Sequence, residues 1–327
     1  MVFLFRDKSI INIFFLVMLS VGIHFHFLMT TPVLLSENND GLFTLVLRNY
    51  LSNLPQTSLV VFYHLVVLIQ AIRLNMVLND FRMFQNNSYT TAMAYVLLSA
   101  LFTQWCTVSA ALLANFLLIW IFIKLSRLYN HPSPKTLLFN TGLIVGIAVL
   151  CYHPTAILIL VVLFALAVVR PFKLAEWFIL LMGILLPYYF LAAGLFLKDD
   201  LHSFSYYIPG LKLGLPLHQW NYSIIISVSL LTVYILVGLY YWQVSSSRMV
   251  IQIRKNWAVM IVMLLILIPI PFIYPNAGVE SAFLLLVPMA AFTGNTFSYP
   301  RRLLFPNLLF WISLAVIVYN NWWIVKN

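Results

Sequence analysis

The chain has 327 residues, of which 63% are apolar and 8% charged, with a formal charge of +10 at pH 7. No water-soluble fold of that length could bury so much apolar surface, so a soluble enzyme or soluble binding module is excluded and a polytopic membrane protein remains. The positive excess reads as basic loops on one side of a bilayer. With no dense basic cluster interleaved with aromatics, nucleic acid is not an expected partner.

Hydropathy, punctuated by charges and prolines, predicts an all-α bundle of about eleven transmembrane spans. They lie near 10–30, 57–79, 88–104, 106–123, 137–152, 155–169, 175–197, 223–243, 257–274, 281–298 and 303–324, in one membrane domain covering 1–327. The first apolar stretch is too long for a signal-peptide core, and no small-x-small cleavage site follows, so it is expected to remain as a span. The short pairs 88–104/106–123 and 137–152/155–169 fit either two crossings each or tilted hairpins. In the central stretch Phe139–Phe190, one apolar run ends at His153-Pro154, a second ends at Arg170-Pro171-Phe172-Lys173, and a third enters through Glu176-Trp177. Cys106 and Cys151 are too few for a disulfide framework and read as buried thiols, a single bridge being the alternative.

With the N-terminus cytoplasmic, fourteen of the eighteen Lys and Arg residues fall inside, and only Arg48, Lys198, Lys212 and Lys326 fall outside. That bias supports both the orientation and the span count. Glu37, Asp40, Asp199, Asp200 and Glu280 lie outside in this scheme, so carboxylate chemistry is expected on the extracytoplasmic face.

Two outer loops carry content. The first, 31–56, holds Glu37 and Asp40 and then Gly41–Leu54, in which Thr44, Arg48 and Ser52 form a polar stripe on an amphipathic helix expected in the interface plane. The second, 198–222, holds Asp199, Asp200, His202, Lys212, His218 and Trp220 among prolines and glycines, and suggests an ordered cap. Tyr188, Tyr189, Tyr240, Tyr241, Trp242, Trp311, Trp322 and Trp323 sit near span ends as interfacial anchors. Gly142 and Gly146 form a GxxxG that permits close helix contact.

Asp40 and Glu37 fit a carboxylate general base at the membrane surface. Equally, Asp40 could be the N-cap of the following helix, with Glu37 solvated. Lys198, Asp199 and Asp200 could hold a divalent cation against a phosphate, or could be a solvated helix end. His153 sits at a membrane-depth break, where a histidine is a functional candidate or a partner for freed backbone groups. His64, one turn below the outer surface of the second span, has the same two readings. His24 and His26, two residues apart, are not expected to share a face. Arg48, Lys198 and Lys212 are the outer cations available to an anionic headgroup.

Gly142-Leu143, Gly146, Ala148, Leu150, Pro154-Thr155-Ala156, Arg170 and Leu186-Pro187-Tyr188, following a charged first outer loop and an interfacial helix, resemble the GT-C superfamily. These are integral-membrane glycosyltransferases that use polyprenyl-phosphate-linked sugars. The resemblance covers roughly the first two-thirds of the chain by order of elements. It implies a catalytic acid in the first outer loop, here Asp40 or Glu37, and basic and polar groups on the same face for the lipid phosphate. His153 stands where many members carry Lys or Arg before the Pro-Thr. The expectation is a GT-C-like enzyme of the bacterial inner membrane, with Arg48, His64, His153, Lys198, Asp199, Asp200 and Lys212 binding the substrate and a divalent cation as a possible cofactor. The alternative is a non-catalytic scaffold or subunit of a cell-envelope complex with envelope protein partners. Acids are missing from the predicted span interiors, which weighs against an ion-coupled transporter.

Overall fold

The structure, a computed structural model, describes residues 1–7, 9–35, 40–210, 213–214 and 221–323, less the side chains of Asn276 and Trp323. Among these residues helix is the only regular secondary structure, apart from an isolated bridge between Leu34 and Val108. The helices run in order α1 (Ile11–Ile23), α2 (Leu42–Leu51), α3 (Gln56–Asp80), α4 (Thr90–Ser99), α5 (Ala110–Ser126), α6 (Pro134–Cys151), α7 (His153–Val169), α8 (Leu174–Phe196), α9 (Tyr222–Ser246), α10 (Ile251–Ile273), α11 (Ala277–Ser298) and α12 (Leu304–Trp322). Seven of them, α3, α6 and α8 to α12, are long and apolar enough to cross a membrane. The other segments expected to span, 10–30, 88–104, 106–123 and 155–169, overlap the shorter helices α1, α4, α5 and α7. At 1.5 Å per residue α4 is about 15 Å long, roughly half a hydrocarbon core. It stops where Phe102 turns to extended backbone ahead of the Thr103–Trp105 turn.

Burial sorts the helices. In α11, 89% of the most apolar window is buried, against 17% in α8, so α11 is the axis of the bundle and α8 is peripheral. Several polar side chains in the interior find partners on neighbouring helices. Tyr95 donates to Gln70 Oε1 at 2.7 Å, Gln70 donates to the Leu112 carbonyl at 2.6 Å, and Asn115 donates to Tyr95 Oη and to the Phe283 carbonyl at 3.2 and 3.0 Å. This chain ties α3, α4 and α5 to α11, as a low-dielectric interior without water requires. The GxxxG places α6 against α8 at backbone distance: a Cβ on Gly142 or Gly146 would overlap the Leu180 or Ile184 carbonyl, and one on Gly183 would overlap that of Phe139. Cys106 and Cys151 are buried free thiols.

The bundle has two chemically distinct ends. At one, Arg6 donates from Nε and Nη2 to the Phe297 carbonyl at 3.0 and 2.8 Å. At the same end, where α7 gives way to α8, Arg170 grips Glu176 through two bonds of 3.0 and 3.1 Å while reaching the Leu128 carbonyl. At the other, the 33–35 segment pairs with Val108, Trp105 Nε1 donates to the Val279 carbonyl at 3.0 Å, and Asn320 donates to the Leu101 carbonyl at 2.8 Å. Asp40 belongs to this second end.

Candidate functional site

Helix α6 stops ahead of Pro154, which has no amide to donate and whose ring would clash with the Leu150 carbonyl one turn back if the helix continued. Tyr152 is extended (φ −152°, ψ 110°), and the break strands the His153 amide. A stranded amide needs an acceptor, and the Asp40 carbonyl supplies it at 2.7 Å. The next residue makes the approach possible. Gly41 has φ +126°, and a Cβ there would stand 2.6 Å from the Cys151 carbonyl oxygen. Only glycine suits both the dihedral and the space. The first loop is therefore clamped to the α6–α7 break by main chain, which leaves the Asp40 carboxyl unused by the clamp.

A second acid meets it. At the head of α11, Gly278 adopts φ +57° and Trp105 holds the Val279 carbonyl. Glu280, half-buried, lies within electrostatic range of Asp40, and both acids act on Tyr152. Tyr274 is in the same neighbourhood and interacts with Tyr152 and Tyr188. Three polar atoms here are buried with no hydrogen-bond partner: His153 Nε2, Tyr188 Oη and Tyr274 Oη. Tyr152 is thus within electrostatic range of both acids and of Tyr274, Tyr274 reaches on to Tyr188, and His153 meets Asp40 through the main chain. Burial raises the Asp40 carboxyl above its ordinary value, and two neighbouring carboxyls resist being ionised together. Two such carboxyls are placed to share one proton. An apolar groove of about 260 Å³ runs between α9, α10 and α11, with Trp105, Leu231, Phe272, Val279 and Leu285 in its walls; neither acid lines it. Val279 connects groove and acid pair along the chain.

The sequence-predicted residues divide. Asp40 and His153 come together. Glu37 and Lys212 lie outside the described residues, as do His218 and Trp220 of the second loop. Arg48 is exposed on α2, nearly two turns beyond Gly41. Lys198 and Asp199 are exposed at the end of α8, and Asp200 accepts from Ser203 Oγ at 2.7 Å and lies 3.2 Å from the exposed His202 ring. The contacts of Asp200 are thus those of a helix-end turn. Among the described residues no three His, Cys, Asp or Glu side chains gather as a metal site.

Several expectations need correction. Asp40 is not the N-cap of α2: Gly41 holds that position, and no side chain caps it. The polar stripe is broken, since Thr44 is buried while Arg48 and Ser52 are exposed. A π-turn at Leu47–Leu51 changes the angular spacing, so positions four apart no longer align. His24 and His26 do share a neighbourhood, because the chain leaves α1 through a 3-10 turn. Their rings lie 6.1 Å apart and the His64 ring 5.3 Å from that of His24; Ser20 Oγ bonds His64 Nδ1 at 2.9 Å. His64 therefore belongs to a histidine–aromatic cluster between α1 and α3 that includes Tyr63 and Phe27.

Glu280 and the tyrosines are the residues sequence reasoning missed. Glu280 is the sole acid in the last third of the chain and opens an apolar run, a position at which an ionisable residue is a functional candidate. Tyr188 reads as an interfacial anchor until α8 is packed on α6.

Fold and site define an all-helical integral membrane protein with a carboxylate–tyrosine–histidine cluster at one end of the bundle. No family model matches the chain, and no curated protein or solved structure matches it either.

Proposed function

We propose that the protein is a GT-C-like glycosyltransferase that moves a sugar from a polyprenyl-phosphate donor to an acceptor hydroxyl on the extracytoplasmic face. The observation that carries the reading is that Asp40 lies within electrostatic range of Glu280, whose chain neighbour Val279 lines an apolar groove. In this reading the basic residues of the opposite end face the cytoplasm, by the positive-inside bias, and the acid pair faces the other side. The donor's isoprenoid chain lies in the groove and brings its sugar phosphate to the acids. Asp40 takes the acceptor's proton as the oxygen attacks the anomeric carbon; the bond from that carbon to the phosphate oxygen breaks, and the lipid phosphate leaves. Glu280 is the neighbouring carboxyl that shares the proton Asp40 takes, and the unpartnered Tyr188, Tyr274 and His153 groups supply hydrogen bonds to sugar hydroxyls.

A second reading, a non-catalytic subunit of a cell-envelope complex, draws on one observation: Lys198, Asp199 and Asp200 stand at the solvated end of α8. The two readings separate in one assay. Purified protein in lipid vesicles is given polyprenyl-phosphate sugars and acceptor, and product is followed for wild type and Asp40→Asn. Donor-dependent transfer that the substitution abolishes supports the enzyme. Transfer undiminished by the substitution removes Asp40 as the base, and stable co-purification of a partner without any transfer favours the subunit.

A further inference from the structure

We propose that the cavity at the basic end of the bundle, between the N-terminal segment, the α3–α4 loop and the C-terminal ends of α9 and α11, binds a phosphate-bearing anion. Its volume is about 330 Å³, and its walls include Arg6, Gln85, Asn86, Asn295, Ser298 and Arg301, with no acid among the lining residues. That volume is at the lower end for small-ligand sites and suits a headgroup rather than a long substrate.

The charge balance favours an anion. Two helix C-termini face the cavity, each contributing about half a negative charge, against two full guanidinium charges. The net is roughly one positive charge. Arg6 is fixed in place by its two bonds to the Phe297 carbonyl, which satisfy the end of α11 and leave its remaining N–H groups available. Arg301 follows Pro300 at the exit of α11 and is exposed at the rim. Exposed Gln85 and Asn86 add amide donors from the α3–α4 loop. The nearest acids along the chain, Asp7 and Asp80, are exposed and do not line the cavity. Guanidinium and amide donors converging without a carboxylate match a phosphate mono- or diester. The ligand's source is either an anionic lipid headgroup or free phosphate, and the site is independent of the chemistry at Asp40.

The test uses the full chain in detergent, with binding read by native mass spectrometry and by the shift in melting temperature. The probes are phosphatidylglycerol, phosphatidylcholine and inorganic phosphate. The variants are Arg301→Gln and, as a control, Lys135→Gln, a basic residue of the same end that lies outside this cavity. Phosphatidylglycerol retained over phosphatidylcholine, about tenfold weaker in Arg301→Gln and unchanged in Lys135→Gln, establishes a lipid-headgroup site. Stabilisation by inorganic phosphate that Arg301→Gln abolishes, with no preference between the lipids, establishes the same site with a soluble ligand. Equal retention of both lipids with no phosphate effect, or equal losses in the two variants, overturns the proposal.

Discussion

The Asp40 main-chain carbonyl accepts the His153 amide at 2.7 Å, so the residue that carries the candidate base is held by its backbone. Side-chain substitutions at Asp40 therefore test chemistry with the clamp intact. Substitutions at its neighbour test the clamp.

Gly41→Ala should break it. The φ of +126° and the 2.6 Å approach to the Cys151 oxygen both oppose a Cβ, and a strained backbone position costs about 1–3 kcal/mol. The melting temperature in detergent should fall. Gly194, in α8, is the control, because a methyl group added there would meet nothing within 4 Å; alanine at that position should be neutral or should stabilise by about 0.5–1 kcal/mol.

Asp40→Asn should alter the pH dependence of stability. Burial raises the folded-state pKa of Asp40, so the folded chain retains a proton that the unfolded chain has released. Stability conferred at low pH is then lost as pH rises from the ordinary aspartate value, about 3.9, through the raised one. Melts across that range should show wild type losing stability relative to Asp40→Asn as pH rises, with the difference levelling off below about pH 4. A constant difference across the range would contradict the assignment.

The Arg170–Glu176 pair is buried, with side chains 14% and 5% exposed. Glu176→Ala leaves a guanidinium without its partner and should cost about 3–5 kcal/mol. Replacing both residues by apolar side chains of similar size should recover much of that loss, as measured by chemical or thermal denaturation.

At the α6–α8 contact, Gly146→Val should overpack the interface and destabilise by about 1–3 kcal/mol. A cysteine cross-linking survey along the two helices should show reduced coupling. Unchanged stability would mean that the helices are not in backbone contact.

Much of the helical architecture was legible because apolar runs bounded by charge or proline need no tertiary information. Gly142 and Gly146 announced close contact in the same way, by spacing alone. The candidate site was legible in part. His153-Pro154 signals a broken helix, and a broken helix must place its freed amide somewhere, yet no local pattern says that Asp40 receives it. Glu280 is 240 positions from Asp40, and only the packing of α11 against α5 and the first loop brings them together. The phase of α2 was lost to a π-turn, which hydrophobic spacing does not encode, and the histidine cluster to a 3-10 turn that undid the helical geometry assumed for His24 and His26.

The central claim is that Asp40 and Glu280 act as one acid site. A double-mutant cycle on the initial rate of sugar transfer, using Asp40→Asn, Glu280→Gln and the double variant in vesicles with a polyprenyl-phosphate donor, tests it most directly. Each single substitution should lower the rate at least about a hundredfold, and the double variant should be no worse than the poorer single one. A folded Asp40→Asn protein that transfers sugar at the wild-type rate, or losses that multiply independently, would contradict the account.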